Sequence, residues 1–303
     1  LIKTLSTLVL KLFLFSACFG QEFVLLGVTQ DAGYPQIGCK KECCASIWQD
    51  LSLRKYPVSL GIIDSVERKW YLIDATPDMK YQIDLFSQIT NGTLPYMPEA
   101  ILLTHAHIGH YTGLIDLGRE AINAQHLKVY GSKRMKRFLT KNGPWQQLVK
   151  LNNINILTFE EKAFPLSPQI SIHPLLVPHR DEYTDTYAFE IKAAAKSALY
   201  IPDIDKWNQW KYNITNVINR VDIAFLDATF HNSKELNFKR NIAEIPHPFV
   251  TESLELFKNE PINFKNKIHF IHLNHTNPLL RETKEKKDLE QDGYHVGKQG
   301  KTY

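Results

Sequence analysis

Apolar residues fall along this chain in short bursts divided by polar turns. Beyond residue 20 the first burst spans 22–27, and a turn-rich loop, 30–44, follows it. Val58–Ile63 and Trp70–Ile73 flank a polar turn and predict a β-hairpin. From Asp78 to Ile89 apolar positions recur at helical spacing; Ala100–Leu103 reads as a short buried strand and 114–124 as a helix. The second half continues in this style. Strands are expected at 154–159, 170–177, 187–191, 198–201, 221–226 and 267–273, and helices at 207–217, 251–257 and 279–289. Many strands with helices interspersed suit two sheets packed face to face with helices outside. No short-period repeat or low-complexity linker divides the chain, so residues 21–303 are expected to form one domain.

Composition agrees with that picture. The apolar fraction of 44% and the charged fraction of 22% are ordinary for a globular protein, and 303 residues can bury a core without disulfides. The formal charge of +4 is small and there is no basic tract, which argues against nucleic acid as a partner. The Lys/Glu-rich stretch 281–291 mixes both signs and reads as a solvated helix face. Residues 1–20 stand apart: Lys3, a nearly all-apolar run from Leu5 to Phe15, then Ser16-Ala17-Cys18-Phe19-Gly20. This is the pattern of a secretory signal peptide, with cleavage expected after Gly20, and it implies an exported protein, periplasmic or secreted. Phe15-Ser16-Ala17-Cys18 also resembles an imperfect bacterial lipobox, which would place a lipid anchor on Cys18. The apolar run is shorter than the ~20 residues that a spanning helix needs.

The chemistry concentrates directly after the strand at 100–103. His105, His107 and His110 fall within six residues. On extended backbone His105 and His107 share a face and can reach one metal ion together. At Gly109 the chain can turn into a helix, which would aim His110 at a second ion. Imidazole suits zinc, manganese and iron alike.

Thr104-His105-Ala106-His107-Ile108-Gly109-His110 resembles the H-x-H-x-D-H signature of the metallo-β-lactamase superfamily. The resemblance covers nearly all of residues 22–303 and implies a four-layer αββα sandwich. It implies a first metal held by His105, His107 and a later histidine, matched by His179 in Val177-Pro178-His179-Arg180. Asp203, in Tyr200-Ile201-Pro202-Asp203, matches the bridging aspartate of the catalytic centre, and His272, in Phe270-Ile271-His272, matches the last ligand. One position departs from the pattern: Gly109 stands where the family has an aspartate that binds the second metal. On this reading His110, Asp203 and His272 remain alone at the second site, which binds its metal weakly or not at all.

Cys39, Cys43 and Cys44 suggest a further site. Adjacent cysteines rarely bridge each other, and thiolates this close suit tetrahedral zinc. A disulfide from Cys39 to Cys43 or Cys44 is the alternative in an oxidising compartment. His275, three residues after His272, is the candidate fourth ligand. Gly33-Tyr34-Pro35-Gln36 before the cysteines is similar to the pyrroloquinoline quinone biosynthesis B proteins and to the cyclic phosphodiesterase of phosphonate breakdown. Both carry a C-x-C-x-x-C structural zinc site; here the middle cysteine has moved to position 43 and Lys41 stands in its place. His272-Leu273-Asn274-His275 looks like the closing H-x-x-H of the phosphodiesterase, whereas Thr276-Asn277-Pro278 is closer to the quinone-biosynthesis proteins.

The phosphodiesterase resemblance implies that His247, in Pro246-His247-Pro248, is a general acid. Asp74 ends a strand where the family places an acid that supports a metal-bound histidine. Asp227 occupies a similar strand end, with capping as its alternative role. His126, His173, His231, His269 and His295 are isolated by spacing and read as structural. The expected activity is hydrolysis of an ester or phosphodiester bond in a small-molecule substrate. The alternatives are a quinone-biosynthesis or oxygenase role and a non-catalytic binding protein on the same fold.

Overall fold

The computed structural model describes residues 22–193, 195–236 and 245–303; the leader-like segment and Cys18 lie outside the described residues. One sheet takes β1 (Glu22–Gly27), β2 (Ser59–Asp64), β3 (Lys69–Ile73), β4 (Ala100–Leu102), β5 (Leu127–Gly131) and β6 (Ile154–Thr158), side by side in chain order. Its first three strands pair antiparallel and β3 to β6 pair parallel. The other sheet takes β7 (Phe164–Pro165), β8 (Ser171–Val177), β9 (Thr186–Lys192), β10 (Ser197–Ile201), β11 (Ile223–Asp227), β12 (Ile268–Ile271) and β13 (His295–Val296). Here β7 to β10 are antiparallel and β10 to β13 parallel.

Side-chain alternation builds the layers. Leu25, Ile62, Tyr71 and Leu102 of the first sheet meet Phe189, Tyr200 and Phe225 of the second in a shared core. Their neighbours Val24, Leu26, Leu72 and Ile101 point the other way, towards α2 (Met79–Ile89 in chain order after α1, Glu42–Gln49). Leu199, Ile201, Leu226 and Phe270 do the same on the far side, where Val217, Val250, Phe257 and Leu289 cover them. Strands buried on both faces read as near-continuous apolar runs, which is why periodicity located them well. The remaining helices are α3 (Ile108–Tyr111), α4 (Lys133–Lys141), α5 (Trp145–Lys150), α6 (Ile214–Asn219), α7 (Val250–Phe257), α8 (Ile262–Lys265) and α9 (Lys284–Gln291). The result is the four-layer αββα sandwich expected from the histidine motif. Among the described residues no helix is long and apolar enough to cross a membrane.

Three expected helices differ. Residues 114–124 form a 3₁₀ segment, Thr112–Leu117, and then turns. Gly113 donates its N–H to Ala75 O, and a Cβ there would lie 2.0 Å from Thr76 O, so close packing on the segment after β3 sets the local path. The stretch 207–217 breaks at Asn213, whose side chain accepts from Asn216 N and starts α6 afresh. The stretch 279–289 breaks likewise, because Thr283 caps α9 through Lys286 N. Strands β5, β7 and β13 and helices α1, α4, α5 and α8 lay outside the expected elements.

Candidate metal centre

Strand ends in both sheets deliver the site. In open α/β sheets the carboxyl ends of strands form the ligand crevice, and the candidate residues follow such ends: Asp74 after β3, His105 and His107 after β4, His179 after β8, Asp203 after β10, His272 after β12. His107 is the N-cap of α3, so its extended backbone keeps it on the face of His105 while His110 turns inward one helical turn later. His105, His110, Asp203 and His272 are almost fully buried.

The donor atoms converge. His105 Nε2 lies 2.9 Å from His107 Nδ1, and His179 offers a third nitrogen to the same group. Asp203 sits at the centre: its Oδ2 is 3.0 Å from His110 Nε2, 3.3 Å from His272 Nε2 and 3.9 Å from His105 Nε2, and its Oδ1 is 3.5 Å from His179 Nε2. Each ring is held from behind. Asp74 Oδ2 faces His110 Nδ1 at 2.8 Å, Asp205 Oδ1 faces His179 Nδ1 at 3.0 Å, Thr229 Oγ1 faces His272 Nδ1 at 2.8 Å and Thr104 Oγ1 faces His105 Nδ1 at 3.0 Å. Such partners fix ring orientation and tautomer. Asp74 and His272 both occupy left-handed backbone, φ 66° and 59°, a conformation that costs on the order of 1–3 kcal/mol and persists where surroundings enforce it.

Charge follows this geometry. Burial opposes ionisation of Asp203, but His272, His110 and His105 hold its carboxyl well below the usual range. Burial also opposes charge on His110, yet Asp74 and Asp203 hold it well above the ordinary imidazole value. His105 moves the other way: burial and the neighbouring His110 keep it neutral, the form that donates a lone pair to a metal.

The donor set fits a divalent cation. Asp203 Oδ2, His110 Nε2, His179 Nε2, His272 Nε2 and Asp31 Oδ1 are all buried without a hydrogen-bond partner. Buried polar atoms are ordinarily paired, and five unpaired ones gathered about Asp203 match what bound cations would satisfy. Imidazole and carboxylate together accept zinc, manganese and iron.

Asp31, in the loop after β1, was not anticipated. Its carboxylate lies 3.2 Å from His110 Nε2 and 4.0 Å from His272 Nε2. Burial raises its pKa, but His110 and His272 outweigh this and hold it well below the usual carboxylate value. A Cβ built on Gly109 would fall 2.0 Å from Asp31 Oδ1 and 2.6 Å from Asp31 Cα. The expectation that His110, Asp203 and His272 stand alone on this side is therefore corrected: Asp31, from another loop, fills the space beside Gly109. Asp205 was also missed, although it stands only two residues beyond Asp203. In the sequence Asp31 had one weak signal, an acid just past a strand end.

His247 lies beside the centre, its ring 5.3 Å from that of His179 and 5.7 Å from that of His272. Asp227 Oδ2 accepts from His247 Nδ1 at 2.8 Å, and Asp227 also accepts from Ile204 N and Thr229 N. Orienting and capping roles therefore coincide in one residue. A cleft of about 520 Å³ opens beside His179, Arg134 and Lys211. Of the isolated histidines, His269 and His295 stack with ring centroids 4.7 Å apart, away from the cluster.

Cys39, Cys43, Cys44 and His275 form a separate group whose donor atoms all lie within 4.8 Å of one another. The thiols are free, with Sγ–Sγ separations of 4.0 Å for Cys39–Cys43 and 3.9 Å for Cys43–Cys44. Arms of ~2.3 Å around zinc give a tetrahedral edge of ~3.8 Å. Asn274 Oδ1 lies 3.0 Å from His275 Nδ1, an arrangement that leaves Nε2 as donor.

Comparison with known proteins agrees with the fold. Coenzyme PQQ synthesis protein B of Rhizobium meliloti is 24% identical over 91% of this chain and 95% of its own length. The protein of the same name from Acinetobacter baylyi is 26% identical over 85% and 91%. Among solved structures, Zn(2+)-bound PqqB from Methylobacterium extorquens covers 93% of this chain and 99% of its own with a TM-score of 0.76 at 20% identity. A diphosphatase from the PhnP family covers 93% and 96% with a TM-score of 0.68 at 21% identity. Residues 69–289, most of the chain, match the family model described as the beta-lactamase superfamily domain. The chain therefore belongs to the β-lactamase superfamily, in its metallo-β-lactamase fold.

Proposed function

We propose that the protein is a metal-dependent hydrolase acting on an ester or phosphodiester bond of a small-molecule substrate. The observation that carries this reading is the convergence of buried, unpartnered donor atoms from His110, His179, Asp203 and His272 beside the His105–His107 pair. His105, His107 and His179 would hold one cation; Asp203 would bridge to a second near His110 and His272. A cation bound there supplies Lewis acidity and an activated water.

The chain's own residues supply the rest. Asp227 holds the Nδ1 proton of His247, which leaves Nε2 to take up a proton and pass it to the leaving group. Asp74, Asp205 and Thr229 keep the ligand rings from turning as charge moves. Cys39, Cys43, Cys44 and His275 would hold a structural zinc that ties the N-terminal loop to the segment carrying His272.

A second reading rests on the relatives: the curated proteins that match over nearly their full length are named for PQQ synthesis. A biosynthetic role on the same centre follows from that name, and an oxygenase is the form of it that the sequence resemblance implies. Metal quantification on purified protein, with turnover of a panel of phosphodiesters, lactones and thioesters, separates the readings. Zinc or manganese with hydrolytic turnover supports the hydrolase. Iron with oxygen uptake supports the oxygenase. A preparation with no metal in the centre overturns both.

A further inference from the structure

We infer that Asp31 is a ligand of the second cation, and that Gly109 marks a carboxylate that has been relocated rather than lost. The inference rests on the reading of this cluster as a metal centre. In the family motif an aspartate at the position of Gly109 would reach the second ion. Here that path is closed, because a Cβ on Gly109 would lie 2.6 Å from the backbone of Asp31 and 2.0 Å from its Oδ1. The residue that blocks the path is itself a carboxylate, and it stands against the same two imidazoles.

The contacts show atoms aimed at a common point. Asp31 Oδ1 approaches His110 Nε2 to 3.2 Å, yet both are buried without a hydrogen-bond partner. Asp203 Oδ2 and His110 Nε2 are 3.0 Å apart in the same condition. Close approach without hydrogen-bond alignment is what ligands around one ion show, since each lone pair points at the ion. Asp31, His110 and His272 each place a donor atom within 4.8 Å of the others.

The loop is also built to hold Asp31 still. Gln30 N donates to Leu273 O at 3.0 Å, Leu273 N donates to Val28 O at 2.9 Å, and Gly33 N closes a turn on Gln30 O at 2.9 Å. The backbone just before Asp31 is thus tied to the residue after His272, and the turn closes the loop behind it. Two ligands of one ion, far apart in sequence, share a single hydrogen-bonded frame, as precise metal sites require. With Asp31 the centre holds two carboxylates, Asp31 and Asp203, to offset two divalent cations.

Metal content by mass spectrometry and calorimetric titration with Zn²⁺ on the full chain test this. The unmodified protein is expected to hold two ions in the centre, besides the ion at the cysteines. Asp31→Asn keeps the shape but weakens the charged donor, and it should cost one ion per chain. Partners outside the ligand set already change affinity by about 10–100-fold, so the affinity for that ion should fall by at least as much. Asp31→Glu keeps a charged oxygen donor on the loop and should retain more of the second ion than Asp31→Asn, whereas a purely shape-keeping role for Asp31 would give the opposite order. Co²⁺ absorption gives an independent readout: Asp31→Asn should lose the spectral component of the second ion and keep that of the first. A centre that stays fully loaded in Asp31→Asn, with an unchanged Co²⁺ spectrum, overturns this inference alone. A centre empty of metal in the unmodified protein overturns the parent reading.

Discussion

The histidine–aspartate centre and the cysteine cluster lie three residues apart on one segment, His272 to His275, yet the fold treats them differently. Ligands of the centre come from the ends of strands in both sheets, and each ring has a fixed hydrogen-bond partner behind it. The cysteines come from one short loop and the start of α1, are half-buried apart from Cys44, and have mainly one another as thiol partners. Burial even pushes the Cys44 thiol up to about 12. The first geometry is held by the sandwich and would only be filled by metal. In the second, metal would supply much of what holds the geometry, so losing metal should cost activity at one site and stability at the other.

His107→Ala should separate the two most sharply. Turnover should fall on the order of 10³-fold or more, because several kcal/mol of transition-state stabilisation depend on the metal. Metal content should drop by about one ion per chain, and far-UV circular dichroism should stay unchanged. Full metal content in that variant would remove His107 from the ligand set.

Asp227→Asn should come next. It keeps the shape beside His247 but loses the acceptor that fixes Nδ1–H, so turnover should fall by roughly 10²-fold or more with metal content intact. Substrates whose leaving group needs no proton should keep most of their turnover. Unchanged turnover on every substrate would make Asp227 a capping residue only.

At the cysteines the effect should invert. His275→Ala should lower stability by on the order of 2–3 kcal/mol, roughly 3–5 °C in Tm, with one zinc lost and the catalytic metal loosened as His272 shifts. Thiol titration under denaturing, non-reducing conditions should find Cys39, Cys43 and Cys44 all reduced. A Cys39 disulfide in freshly isolated protein would replace zinc as the account of this loop.

His269 gives the smallest effect near neutral pH and a control outside both sites. Burial, with His295 and Lys301 nearby, lowers its pKa from 6.5 to about 3. The unfolded chain therefore takes up this proton first as pH falls. The buried neutral ring is then a liability that grows below pH 6.5 and stops growing near 3, at up to about 1.4 kcal/mol per pH unit. His269→Phe, facing Phe225, His295 and Tyr303, should flatten that slope in acid denaturation. An identical slope would mean that the acid sensitivity lies elsewhere, in the metal ligands.

Much of this arrangement was legible in the chain itself. Two-faced burial makes strands into apolar runs, so their positions and the residues just past their ends could be read directly: His105 and His107, His179, Asp203, His272. Local spacing also grouped the three cysteines. Helices were read less well, because caps at Asn213 and Thr283 and the close packing of Gly113 cut apolar periodicity that continued across them. The pairing of partners was decided only in three dimensions. Nothing near Gly109 in the sequence announces Asp31, and nothing near His247 announces Asp227. Those pairs exist because sheet register brings distant strand ends to one edge, and proximity across sheets leaves no period along the chain. The sequence by itself determined which residue types stood ready at the strand ends; the tertiary structure decided which carboxylate faces which imidazole, because only packing sets those distances.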